Sequence, residues 1–253
     1  MNEEERYLFD LQGYLLIENA LSAETVAAMN AYIDAQAAQD PRWEGQQGND
    51  KLENVLTWGP EFLALLDHPR LLPMFKALLG SHLRFDHDYA IFLQPGGGGL
   101  FLHGGGTPYD PSQYYHVIKD RIYSGLAVAV YALSDVPPGA GGFACIPGSH
   151  KSNFPCPEDI AWHRRSSSIV QQVPMKAGDC ILFTEALQHG TIPCRGPHTR
   201  RTLYYKYAPA HLRWGPHNYE PGNPIYERLA PHLSETQHLL LQPAIIAGHK
   251  RIP

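Results

Sequence analysis

The chain has few cysteines, no block of basic residues and no long apolar run, and each shortage removes a class of function. Four cysteines in 253 residues, Cys145, Cys156, Cys180 and Cys194, show no Cys-x-x-Cys spacing. That argues against a zinc knuckle or a thioredoxin-type site and leaves reduced thiols in a cytoplasmic protein as the expectation. Basic residues come as isolated pairs, Arg164-Arg165 and Arg200-Arg201, within a formal charge of −5, so no nucleic-acid surface is expected. No stretch approaches the roughly 20 apolar residues of a membrane-spanning helix. The acidic start Met1-Asn2-Glu3-Glu4-Glu5-Arg6 lacks the basic-then-apolar layout of a signal peptide.

Phosphate-binding loops and nucleophile elbows are missing as well. In the run Gly96 to Gly99 a dinucleotide fingerprint would need a further glycine at Phe101 or Leu102, and no Lys-Ser or Lys-Thr follows. A flexible turn between strands is expected there, with a mobile lid as the alternative. No Gly-x-Ser-x-Gly occurs, and the adjacent Ser149 and His150 cannot turn toward each other as a relay. They read as a turn whose hydroxyl and imidazole bond to the backbone.

What is present divides into two textures. The first third is mostly helical: Ser22 serves as an N-cap, and Val26, Met29 and Ile33 then recur on one face. Short helices are predicted over 60–66 and 69–79, the second closed by Gly80. From about residue 83, short β segments alternate with Gly and Pro: 83–94, 122–133, 143–146, 169–173, 180–184 and 202–207. Residues 225–241 read as helix. Many short strands without intervening helices favour a sandwich or barrel over a parallel α/β sheet. One domain is expected, with a helical part about 1–82, a β core about 83–210 and an extension about 211–253.

The chemistry concentrates at Leu102-His103-Gly104-Gly105-Gly106, Gln188-His189-Gly190 and Arg200. Taken singly, His103 and His189 are ordinary core or loop residues. Together they end β segments of one predicted barrel, glycines follow both, and Arg200 stands one strand later. An ordered His, His and Arg is what a non-haem iron oxygenase using 2-oxoglutarate needs, because a guanidinium takes a carboxylate in a bidentate fork. Strand alternation puts Arg200, Thr202 and Tyr204 on one face and Arg201 and Leu203 on the other. One of the two arginines therefore points inward.

Gly13-Tyr14-Leu15-Leu16, the His103 loop, Gly141-Gly142-Phe143 leading to Pro147-Gly148-Ser149-His150, and His189-Gly190-Thr191 with Arg200 together resemble the phytanoyl-CoA dioxygenase family over roughly residues 7 to 210. The resemblance implies a mainly β, double-stranded β-helix (jelly roll, cupin-like) fold flanked by N- and C-terminal helices. It implies Fe(II) held by His103 and His189, with O2 and the cosubstrate 2-oxoglutarate, whose distal carboxylate Arg200 would hold with help from the Thr191 hydroxyl. It also implies oxidation of an unactivated C–H bond.

The chain departs from the family at one position. The usual third ligand is a carboxylate two residues after the first His, completing a two-His, one-carboxylate face. Here that position is Gly105. Three outcomes follow. Chloride fills the vacancy and is transferred to the substrate, as in iron-dependent halogenases, which carry Gly or Ala there; this is the favoured expectation. Alternatively a carboxylate from elsewhere, Asp88 or Asp110, completes the site and the enzyme hydroxylates. In the third, the barrel binds ligands without catalysis. Gly105 could also simply serve backbone conformation.

The substrate is expected to be a free small molecule. Tyr89, Tyr109, Tyr114 and Tyr115 sit near the predicted mouth, and His87, Asp88 and His116 offer polar contacts if they face it. No basic cluster offers itself to a coenzyme A polyphosphate.

Overall fold

In the computed structural model, which describes residues 1–216 and 218–245, twelve strands form two antiparallel sheets and a hairpin. The large sheet runs in the order β1 (Tyr14–Ile17), β10 (Cys180–Thr184), β7 (Ala127–Ala132), β12 (Arg200–Pro209), β3 (Leu83–Leu93), β2 (Leu52–Glu53). Facing it lies a smaller sheet in the order β4 (Leu100–His103), β11 (His189–Ile192), β8 (Gly142–Cys145), β9 (Gln171–Gln172). Strands β5 (Tyr115–Ile118) and β6 (Arg121–Ser124) form the hairpin. This is the expected jelly roll.

The large sheet is buried on both faces, and the parity of each strand divides its residues between two cores. On β12, Tyr204 faces the small sheet with Tyr89, Ile91, Val130, Phe143 and Phe183. Leu203, Tyr205 and Tyr207 face the other way, into a layer of helices. Those helices are α1 (Glu3–Gln12), α2 (Ala23–Ala37), α3 (Pro60–Leu63) and α4 (Leu72–Leu79). Two tyrosines join sheet to helix. Tyr205 Oη donates to Phe62 O at 2.8 Å and Tyr207 Oη to Leu66 O at 2.7 Å, satisfying carbonyls that the ends of short helical turns leave open. A bulge opposite Lys206/Tyr207 switches parity on β3, so Phe85 joins the helical layer while His87 shares the inner face with Tyr89.

The expected helix after Ser22 forms as α2, whose N-cap hydroxyl accepts from Thr25 N and whose buried face is Val26, Met29 and Ile33. Two expectations change. The segment 122–133 is not one strand: Gly125 N donates to Tyr114 O, and a Cβ at Gly125 would collide with Ser112 O, so the chain breaks between β6 and β7. The helix expected over 225–241 is two, α6 (Pro224–Leu229) and α7 (Glu235–Leu240), because Pro231 intervenes and Ser234 caps a fresh start with its reciprocal partner Gln237. A short helix α5 (Glu158–Ala161) lies in the loop after β8. Among the described residues no helix is long and apolar enough to cross a membrane.

Ser149 and His150 form the expected backbone-bonding turn. Ser149 Oγ accepts from Gln188 N at 2.8 Å, and His150 Nε2 bonds to Asp10 O at 3.1 Å. Burial, with the nearby Lys151 charge, holds the His150 imidazole down to about 4. In the unfolded chain it titrates at about 6.5, so between these values the unfolded state binds more protons. Stability should therefore be full above about pH 6.5 and fall as pH drops toward 4, by on the order of 3 kcal/mol. Denaturant unfolding of wild type and His150→Gln between pH 4 and 7 checks this: the variant should lose that part of the acid slope. Parallel slopes would show that His150 titrates alike in both states.

Candidate metal centre

Strands β4 and β11 are neighbours in the small sheet, and their register sets His103 directly opposite His189 with ring centroids 4.2 Å apart. His103 closes its strand, whereas His189 opens its own. Each ring is fixed the same way. His103 Nδ1 lies 3.1 Å from Phe101 O, and His189 Nδ1 lies 2.7 Å from Leu187 O. A carbonyl only accepts, so both Nδ1 atoms carry the proton and both Nε2 lone pairs are left for a ligand. Among the described residues neither Nε2 has a hydrogen-bond partner. Burial, reinforced by the neighbouring His103, holds the His189 imidazole down to about 3, so it is neutral as a metal ligand must be. Phe183 packs against its ring at 4.5 Å.

The turn that leads into β11 brings a third donor. Glu185 is buried, with Oε1 2.6 Å from Lys206 Nζ and Oε2 3.8 Å from His189 Nε2. Burial would raise its carboxyl, but Lys206 and the imidazoles outweigh that and bring it down to about 2; Lys206 in turn is raised. One ligand atom from each of His103, Glu185 and His189 falls within a set spanning 4.8 Å. Two imidazoles and one carboxylate match the donor set of non-haem iron, and the proton positions suit ligation. These residues fit a divalent metal ion.

Gly105 lies close to this cluster, on the loop after β4. Its φ is +102°, and a Cβ built there would sit 2.5 Å from Gln188 Oε1 with no imidazole atom within 4 Å. Gly104, at φ +80°, lies against the turn itself: a Cβ would approach Glu185 O to 2.5 Å and Leu187 O to 2.6 Å. Gly105 N donates to Ala186 O at 2.8 Å. The two glycines let the loop after β4 lie on the turn before β11.

Arg200 opens β12 with its side chain inward and buried. Its guanidinium donates one long hydrogen bond, Nη1 to Ile192 O at 3.4 Å, and no carboxylate among the described residues pairs with it. Arg201 points the other way and is satisfied by Asn30 and Asp34 at 2.9 and 2.5 Å. A buried guanidinium without a counter-charge is costly unless an anion completes it. Thr191 also faces inward, and its Oγ1 accepts from Leu100 N at 2.9 Å.

The residues expected at the substrate divide. His87 and Tyr89 line a cavity of about 180 Å³ together with Lys51, Trp214 and Tyr219. Tyr89 connects this cavity to the centre, since Lys206 Nζ lies 5.6 Å from its ring centroid and Tyr204 stacks on it at 4.7 Å. Asp88 borders the same cavity, but its carboxylate is engaged by Val55 N, Leu56 N and Tyr219 Oη at 3.1, 2.8 and 2.8 Å. It clamps the helical layer instead of reaching the histidines. Asp110 is held by Ser112 in its own loop, so neither suspected carboxylate joins the cluster. Tyr109 is largely exposed beside His116, Tyr114 packs near Leu126, and Tyr115 Oη donates to Asp10.

Sequence reasoning missed Glu185 and Lys206. A signal existed: each is a lone charge in an apolar strand context, Ile181-Leu182-Phe183-Thr184-Glu185 and Leu203-Tyr204-Tyr205-Lys206-Tyr207, and Lys206 shares the parity of Arg200.

Fold and centre together define a jelly-roll protein with a two-His, one-carboxylate cluster. The model of the phytanoyl-CoA dioxygenase family matches residues 9–202, and the chain belongs to that family. Ectoine dioxygenase of Nocardia farcinica is 24% identical over 239 residues, covering 81% of this chain and 76% of that protein. Among solved structures, HygX from Streptomyces hygroscopicus with nickel and 2-oxoglutarate bound superposes with a TM-score of 0.75 at 24% identity, covering 84% of this chain and 89% of that one. HygX with nickel, 2-oxoglutarate and hygromycin B bound gives 0.71 at 23% identity, with 84% and 89% covered.

If close approach at the glycine loop matters, Gly104→Ala should cost about 3 kcal/mol or more, combining left-handed strain with a backbone collision. Gly139→Ala, at φ +81° with nothing within 4 Å of its built Cβ, should cost only about 1 kcal/mol. Equal unfolding midpoints for the two variants would contradict the contact.

Proposed function

We propose that the protein is an Fe(II)- and 2-oxoglutarate-dependent oxygenase that hydroxylates an unactivated C–H bond of a small molecule. The observation that carries this reading is the buried, uncompensated Arg200, which points from the large sheet into the interior that the paired His103 and His189 border from the small sheet. A dicarboxylate reaching from the histidines toward Arg200 would supply the missing charge. Iron, 2-oxoglutarate and O2, when bound, supply the oxidation, with the cosubstrate losing CO2 to become succinate.

The chain's own residues bind, orient and exclude. His103 and His189 hold iron through Nε2, their tautomers set by Phe101 O and Leu187 O. Arg200 takes the distal carboxylate, and Thr191 faces the same interior from β11 of the small sheet. Phe143, Phe183 and Tyr204 keep that interior apolar, which strengthens the Arg200 interaction by excluding water. His87 and Tyr89 offer polar edges in the adjoining cavity to a small substrate. That ectoine dioxygenase and HygX, by their names and bound molecules, deal with small molecules supports this substrate class. Four unpaired thiols, three of them buried, support a reducing compartment such as the cytoplasm.

Hydroxylation is favoured over halogen transfer by the buried Glu185 carboxylate, whose Oε2 lies 3.8 Å from His189 Nε2. The halogenase reading requires an anion position left open beside the histidines, and an acidic side chain already stands there. Gly105 itself sits at φ +102°, a left-handed conformation that favours glycine.

Anaerobic titration of apoprotein with Fe(II) and 2-oxoglutarate, with and without chloride, tests the reading through the visible charge-transfer band of the chelate. A band indifferent to chloride is expected. A band that shifts with chloride would favour halogenation, and no band under any condition would leave a non-catalytic binding protein. Arg200→Ala should weaken 2-oxoglutarate binding by roughly 30- to 1000-fold, the loss of one partner of a buried charge pair. Unchanged affinity would remove Arg200 from the cosubstrate site.

A further inference from the structure

We propose that Glu185 is the third protein ligand of the metal, supplied from the turn before the second histidine in place of the carboxylate that usually follows the first. The inference rests on the iron reading above and goes beyond it, since two histidines and Arg200 alone leave the metal's charge and third position open.

Three observations converge on Glu185. Its Oε2 lies 3.8 Å from His189 Nε2, inside the only group of three ligating side chains within 4.8 Å among the described residues. Its other oxygen is held at 2.6 Å by Lys206 Nζ from β12. A ligand carboxylate is commonly fixed in this way, one oxygen on an outer partner and the other on the metal. The backbone is arranged for its approach: Gly104 lets the turn carrying Glu185 come within reach of His103, and a side chain at Gly104 would push that turn away. Gln188, next to the same turn, donates Nε2 to Leu102 O at 2.8 Å and ties the turn to β4. The carboxylate absent from the loop after β4 is matched by one carried on the turn before β11. With that position filled by an anion, no halide is needed to balance the metal.

Glu185 could instead be only the counter-ion of Lys206, and variants separate the two roles. Co(II) is the probe, followed anaerobically by its d–d absorption and by titration. Wild type should bind Co(II), and His103→Ala should lose it. Glu185→Gln keeps the volume and an oxygen for Lys206 while removing the charge; it should weaken Co(II) roughly 10- to 100-fold or more and alter the d–d spectrum. The double variant Glu185→Met/Lys206→Met removes both buried charges, guarding against loss of fold from an unpaired lysine, and should show the same loss with a cooperative thermal transition retained. Wild-type affinity and spectrum in the Glu185 variants, with binding lost in His103→Ala, would overturn the Glu185 assignment alone. Absence of Co(II) binding in wild type would overturn the iron reading itself.

Discussion

The arrangement depends on one backbone contact, the loop after β4 lying directly on the turn before β11. Gly105 N bonds to Ala186 O, and Gly104 leaves no side chain between itself and the carbonyls of Glu185 and Leu187. Because the turn is held there, Leu187 O can fix the ring of His189 and Glu185 can lie beside it. Because the loop is held there, His103 stays opposite His189 at the end of its strand. A conventional residue at 104 would separate the two sides and disperse all three donors together.

The inner face of β12 carries the matching charges. Arg200 stands at its start and Lys206 six residues further on, with Thr202 and Tyr204 between them on the same side. Lys206 has its partner in Glu185, and Arg200 has none within the described residues. The strand thus holds one cation paired with Glu185 beside the histidines and one buried cation with no carboxylate partner among the described residues. The helices on the opposite face contribute indirectly. Tyr205 and Tyr207 tie the sheet to them, and Arg201 discharges its own charge there, which leaves the interior to Arg200.

Much of this was legible in the sequence because it obeys local periodicities. The jelly roll followed from short strands bounded by Gly and Pro, the first long helix from Ser22 and its apolar spacing, and the inward arginine from parity on β12. The histidine pair followed from order along the chain. The carboxylate was not legible, because Glu185 sits in a tight turn whose course is set by a non-local contact with Gly104. Asp88 looked suitable by position on β3, yet its neighbours are backbone amides of a segment some thirty residues earlier in the chain, a pairing no local pattern encodes. Gly105 drew attention as a missing ligand, although its backbone sits at φ +102°, where glycine is favoured for conformation alone. A gap in a motif and a vacancy in a site are different things, because a donor distant in sequence can stand beside the same histidines.

The most direct test of the account is anomalous diffraction at the iron edge from crystals of the protein soaked anaerobically with Fe(II) and 2-oxoglutarate. The account predicts one anomalous peak within bonding distance of Nε2 of His103, Nε2 of His189 and a carboxylate oxygen of Glu185, with the cosubstrate running from the metal to Arg200. A peak ligated by the histidines alone, with Glu185 bonded only to Lys206 and a halide or water in the third position, would contradict it.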